Sequence, residues 1–114
     1  MTLRQARCLF THLLTILLEE AEALGFEVAI GETVRDAQTA ARNAKAGKGI
    51  INSLHLVGLA CDLNLYRGGV YLGATEDHRQ LGTYWKALHP LCRWGGDFKR
   101  ADGNHYSLSW EGRA

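Results

Sequence analysis

The residues from Leu59 to Tyr66 constrain the fold of this chain more than any other stretch. Cys61, Leu63 and Leu65 alternate with Ala60, Asp62, Asn64 and Tyr66, the period-two pattern of a strand with one apolar and one less apolar face. Arg67-Gly68-Gly69 reads as a hairpin turn, and Val70-Tyr71-Leu72 as the returning strand. A strand that doubles straight back belongs to an antiparallel sheet. Asp62 falls on the less apolar face, where a carboxylate can meet a cleft. His55 stands seven positions earlier, just ahead of the strand, with the small residues Gly58 and Ala60 between. A neutral nitrogen donor and an anionic oxygen donor placed this way suit a divalent metal.

The rest of the chain supplies elements to cover such a sheet. Thr2 is a helix cap, and Leu3, Ala6, Phe10, Leu13, Leu14, Leu17, Ala21 and Leu24 recur at helical spacing before Gly25 ends the run. This helix has a core role. Phe26 to Ile30 alternates as a strand. Arg35 follows, between that strand and an Ala-rich helix expected from about Asp36 to Ala46. Gly47-Lys48-Gly49 lacks the spacing and the following Ser/Thr of a phosphate loop, and reads as a turn. Thr75 is expected to cap a third helix with Glu76 and Asp77 in its first turn, and Pro90 to stop it. Between Asn104 and Trp110 a last strand puts His105, Ser107 and Ser109 on a polar face, opposite Tyr106, Leu108 and Trp110. The expected architecture is α+β: a small, mostly antiparallel sheet covered by about three helices, with a zinc site at the sheet face. One domain is expected to span residues 1–114, with no separate binding module.

Composition narrows the class. A chain of 114 residues supports one core, and 13 basic against 12 acidic residues leave no cationic surface of the kind that nucleic acid requires. Cys8, Cys61 and Cys92 are odd in number and widely spaced, which argues against a disulfide framework or a thiolate metal cage. They read as buried free thiols in a protein matured under reducing conditions. The apolar run from Cys8 to Leu18 is too short to span a bilayer and contains His12, so an amphipathic helix is expected rather than a signal peptide or stable membrane insertion.

His55, Asp62 and His105 form a His-Asp-His donor set that leaves a metal position open for water. Asp102, three residues before His105, can accept a proton beside the metal without binding it. Each residue also has a plainer reading. His105 fits a half-buried strand histidine, Asp102 a turn former in Ala101-Asp102-Gly103-Asn104, and Arg35 a solvated residue at a helix start. Asp97 is the rival acceptor. His12, His78 and His89 lie in helical segments without partnered motifs.

Ser53-x-His55-x-x-Gly58-x-Ala60-x-Asp62, then Trp94-Gly95-Gly96-Asp97 and Asp102-x-x-His105, resembles the zinc peptidases that cut peptidoglycan stem peptides. That family includes D-alanyl-D-alanine carboxypeptidases, D,D-dipeptidases and phage L-alanyl-D-glutamate endopeptidases. The similarity runs from about Glu32 to Tyr106, roughly two thirds of the chain, and Arg35 looks like an upstream Arg of the family pattern. Asn104 and Tyr106 depart from the usual Pro and Phe without removing a donor.

The resemblance implies one Zn2+ held by His55, Asp62 and His105, with Asp102 as the catalytic acid/base. It implies Arg35 as both a catalytic and a substrate-binding residue, and Ser53 as a hydrogen-bond donor to the peptide. The compact chain looks like an endolysin of the L-alanyl-D-glutamate class, acting as a monomer. Such a protein collects in the host bacterial cytoplasm and reaches the periplasm when a holin opens the inner membrane. The runner-up is a D-alanyl-D-alanine carboxypeptidase or dipeptidase. Other readings are a catalytically silent zinc-bearing module of the same fold, and an interaction protein whose motif is coincidence.

Overall fold

The computed structural model describes residues 1–31 and 54–114. Helix α1 spans Leu3–Ala23. Its first turn is closed by a reciprocal cap: the Gln5 N–H donates to Thr2 Oγ1 at 3.1 Å, and the Thr2 N–H to Gln5 Oε1 at 2.8 Å. Ala6, Phe10, Leu13, Leu17 and Ala21 form its buried stripe, as the periodicity predicts. After Gly25, the Phe26 N–H donates to the Ala21 carbonyl at 3.0 Å, turning the chain into strand β1, Glu27–Ile30.

Strand β2 spans Ala60–Arg67, β3 Val70–Leu72, β4 Cys92–Trp94 and β5 His105–Leu108. The sheet order is β1-β2-β5-β4, with β3 also on β2, and every pairing is antiparallel. Strand β2 is long enough to serve two neighbours on one side: its first half pairs with β5 and its last residues with β3 across the Gly68-Gly69 turn. Cys61, Leu63 and Leu65 are fully buried, while Asp62, Asn64 and Tyr66 are only partly so. The expected two faces of β2 are therefore real.

Helix α2, Thr75–Leu88, packs with α1 on the apolar face. Phe10 meets Trp85 edge-on at 5.8 Å between centroids, and Trp85 meets Tyr106 at 6.2 Å. The Trp85 indole N–H also donates to the Arg93 and Ser107 carbonyls, at 3.0 and 3.1 Å, tying α2 to β4 and β5. Burial of each Leu or Phe in this layer contributes roughly 1.5–3 kcal/mol. Among the described residues, no helix is long and apolar enough to cross a membrane.

Several details differ from expectation. Strand β4 was not foreseen, because three residues between Pro90 and Gly95 are too few to show a period. Thr75 is the first helical residue rather than the cap. Ala74 holds the cap position, and its N–H donates to Asp77 Oδ2 at 3.0 Å. Cys8 is exposed on α1, although Cys61 and Cys92 are buried thiols as expected. All of β5 is buried, including Ser107, since β2, β4 and the loop after β4 enclose it. The Ala-rich helix expected near residues 36–46 lies outside the described residues.

Candidate metal centre

The β2–β5 ladder places Asp62 directly opposite His105. Opposed residues of an antiparallel pair share a face, so a carboxylate and an imidazole meet across two hydrogen-bonded strands. The third group arrives differently. Leu54–Val57 form a 3-10 turn whose Leu54 is fully buried, and the Leu59 N–H donates to the Leu54 carbonyl at 3.1 Å as the chain enters β2. Gly58, with a φ of 72°, makes that reversal in the left-handed region that glycine occupies without steric cost. His55 is thereby folded back over the start of its own strand.

His55 Nε2 lies 3.3 Å from Asp62 Oδ1, and His105 Nδ1 lies 3.7 Å from the same oxygen. One donor atom from each of the three residues falls within a 4.8 Å cluster. Donors bound tetrahedrally to zinc at about 2.0–2.2 Å stand about 3.3–3.6 Å apart. The cluster thus needs little adjustment to close on an ion. Among the described residues, Asp62 Oδ1 and His105 Nε2 are buried without a hydrogen-bond partner. An orphaned buried carboxylate oxygen is costly, and a cation shared by Asp62 Oδ1, His55 Nε2 and His105 Nδ1 removes that cost. The residues present fit a zinc ion.

The electrostatics agree. Burial pushes the Asp62 carboxyl upward, but the adjacent imidazoles of His105 and His55 outweigh it and hold the carboxyl down at about 2. Asp62 is therefore an anion at neutral pH, as a metal ligand has to be. Phe98 closes one side of the centre, its ring 5.4 Å from that of His105.

Asp102 is exposed, in the turn that leads into β5. Its N–H donates to the Gly95 carbonyl at 2.9 Å, and its own carbonyl accepts from the His105 N–H at 3.1 Å. Among the described residues, backbone bonds alone hold Asp102 against the strand end that carries His105. A side chain at Gly95 would collide with the Asp102 carbonyl and stand 2.8 Å from His105 Cβ. The Trp94 indole lies against Gly82 and Gly96, and its N–H donates to the Gly103 carbonyl at 2.7 Å. The Trp94-Gly95-Gly96 run is thus a mould for the 102–105 turn. Its role was not legible in the sequence, although an indole flanked by glycines is a signal of close packing. Asp97 ends the same run and pairs with Lys86 of α2 at 2.7 Å.

Arg35 and Ser53 lie outside the described residues. The Gly31 N–H donates to the Asp62 carbonyl at 2.8 Å, so the described chain before residue 32 ends beside the centre, and Leu54 resumes one residue from His55. His78 is buried with its Nδ1 2.8 Å from the Tyr106 hydroxyl, on the apolar side of the sheet. His89 Nδ1 accepts from the Leu91 N–H at 3.1 Å, and His12 is exposed on α1. None of the three joins the centre.

Fold and site together define an α+β domain whose sheet carries a His-Asp-His cluster able to hold a metal ion. Residues 46–108, more than half of the chain, match the M15 peptidase family described as D-alanyl-D-alanine carboxypeptidase, and the chain belongs to that family. It is 33% identical over 99 residues to the L-alanyl-D-glutamate peptidase of Listeria phage A118, covering 84% of this chain and 35% of that protein. The chain therefore spans about a third of this relative's length. The structure of the Serratia marcescens L-Ala D-Glu endopeptidase ChiX is similar in fold, with a TM-score of 0.63. That match has 24% identity and covers 72% of this chain and 66% of the other.

Proposed function

We propose that this chain is a zinc-dependent peptidoglycan peptidase that hydrolyses the L-alanyl-D-glutamate bond of the stem peptide. The observation that carries the zinc reading is the orphaned buried Asp62 Oδ1, which faces one ring nitrogen of each histidine within the His-Asp-His cluster. The likeness to a phage L-alanyl-D-glutamate peptidase supports the choice of bond.

His55, Asp62 and His105 hold one Zn2+ in this reading. When bound, zinc acts as a Lewis acid towards the peptide carbonyl and makes water more acidic, towards a pKa of ~7. The Asp102 carboxylate takes the proton of the attacking water and delivers it to the leaving amine. Its exposure beside His105 favours that task, since the acceptor has to reach both water and substrate. Arg35 offsets the negative charge that develops on the carbonyl oxygen and binds substrate, and Ser53 hydrogen-bonds the peptide. The chain works as a monomer on the cell wall. As an endolysin it is held in the host cytoplasm and admitted to the periplasm with the help of a holin.

A second reading, cleavage at D-alanyl-D-alanine, is favoured by the description of the matching family. Digestion of purified peptidoglycan with and without added zinc, followed by mass analysis, separates the two. New N-terminal D-Glu is the expected product. Released D-Ala supports the second reading, and metal uptake without any cleavage makes the protein a silent binding module.

A further inference from the structure

Asp62 and His105 are held by a sheet ladder, but His55 hangs on a short 3-10 turn. Such turns have poorer hydrogen-bond geometry than α-helices and little stability of their own. The turn's anchors therefore bear on how well the third donor is placed. Buried Leu54 fixes its beginning, and the Gly58 N–H closes it on the His55 carbonyl with a long bond of 3.4 Å. Its far end is fixed from outside, by α1.

Arg7 Nε donates to the Val57 carbonyl at 2.7 Å, across fifty positions of sequence. The arginine stem lies over Gly58: a Cβ there would be 3.3 Å from Arg7 Nε and 3.8 Å from its Cδ. Gly58 thus does two things at once. Its φ of 72° reverses the chain, and its missing side chain seats the arginine. A charged donor on a carbonyl makes a stronger hydrogen bond than a neutral one. The helix that carries Arg7 is itself fixed to the core by Phe10 and Leu13.

We infer that Arg7 is a positioning residue for the metal centre, acting through the Val57 carbonyl to hold the turn that presents His55. It touches neither metal nor substrate. This rests on the reading of His55, Asp62 and His105 as a zinc site. Groups that orient metal ligands indirectly govern affinity, commonly by tenfold or more when they contact the ligand itself. Arg7 acts one step further out and on the surface, so about a fivefold effect on zinc affinity is expected.

The test measures zinc affinity of the full chain by chelator competition, with Co2+ absorption as a spectroscopic readout of donor geometry. Arg7→Met keeps much of the stem over Gly58 but removes the donor, and is expected to weaken zinc about fivefold and to alter the Co2+ spectrum. Arg7→Lys, which keeps a cationic donor, is expected to recover most of the affinity. Arg4→Met, a change on the same helix, serves as the control and is expected to match the wild type. Equal affinity and an unchanged spectrum for Arg7→Met overturn the inference, as does an equal loss in the Arg4 control. A wild-type chain that takes up neither metal overturns the zinc reading itself, and the Arg7 role with it.

Discussion

Asp62 and His105 stand opposite one another in the β2–β5 ladder, yet among the described residues Asp62 Oδ1 and His105 Nε2 have no hydrogen-bond partner. Two strands thus hold an anion and an imidazole in fixed register while leaving donor atoms unsatisfied. An ion that binds the folded state alone stabilises it by mass action, about 4 kcal/mol at a thousandfold excess over Kd. Zinc is expected to raise the melting temperature of the wild-type protein by roughly 10–20 °C. Asp62→Asn, similar in shape but neutral, should lose nearly all of that increment. Calorimetry with and without a chelator checks this, and an equal zinc shift in the variant would rule out Asp62 as a ligand.

Among the described residues, Asp102 is tied to Gly95 and His105 by backbone bonds only, so its carboxylate can be removed without breaking the bonds that hold the turn. Asp102→Ala is expected to keep zinc affinity within about twofold and to lower kcat by roughly 10²–10⁴, the usual contribution of general acid–base catalysis. Metal titration beside a peptidoglycan digestion measures both. Full turnover in the variant would remove Asp102 from the mechanism.

Gly95 passes so close to the Asp102 carbonyl that no side chain fits. Gly95→Ala must push the 102–105 turn away from β4, with a stability cost of about 1–3 kcal/mol, the usual range for overpacking. Because that turn carries both Asp102 and His105, zinc affinity is expected to fall along with stability. Denaturant unfolding and zinc titration of Gly95→Ala give the two readouts, and an unchanged zinc affinity would show that the turn has room to adjust.

Among the described residues, His78 and Asp62 make the metal-free protein sensitive to acid in separate windows. Burial lowers the affinity of His78 for a proton, partly opposed by the charge of Asp77. The unfolded chain therefore binds the proton more readily, and stability falls as pH drops below the ordinary imidazole value of 6.5. Asp62 has its folded value depressed from 3.8 to about 2, so its contribution is present above 3.8 and lost as pH falls through about 2. Thermal melts from pH 7 to pH 2 are expected to show both declines. His78→Asn, whose amide oxygen can replace Nδ1 towards Tyr106, should flatten the upper decline alone. An unchanged slope near pH 6 in that variant would assign the decline to other groups.

The periodicity of Leu59 to Tyr66 and of Leu3 to Leu24 was enough to find β2 and α1, because both patterns record which face is buried. The hairpin at Gly68-Gly69 was legible for a similar reason: the turn needs glycine locally, whatever surrounds it. The donor types were legible too. His55, Asp62 and His105 could be named from strand alternation and spacing, and the structure gathers them into one cluster.

What the one-dimensional pattern could not contain is distance between elements. Strand β4 is too short to have a period, and its existence depends on pairing with β5. Thr75 is a good capping residue, but Asp77 closes the first turn of α2 instead. Ser107 alternates as a polar surface residue and is nevertheless buried, because neighbouring strands flank β5 on both sides. Trp94 and Arg7 show the same limit in the site itself. Each acts through a hydrogen bond to a backbone carbonyl, of Gly103 and of Val57, and a carbonyl is present at every position of the chain. The sequence by itself determined which residues offer metal donors, which stripe of α1 would be buried and which face of β2 would be the more buried one. Tertiary structure alone decided which carbonyls those two side chains would find, since that choice depends on how α1, β4 and the β5 turn pack in three dimensions.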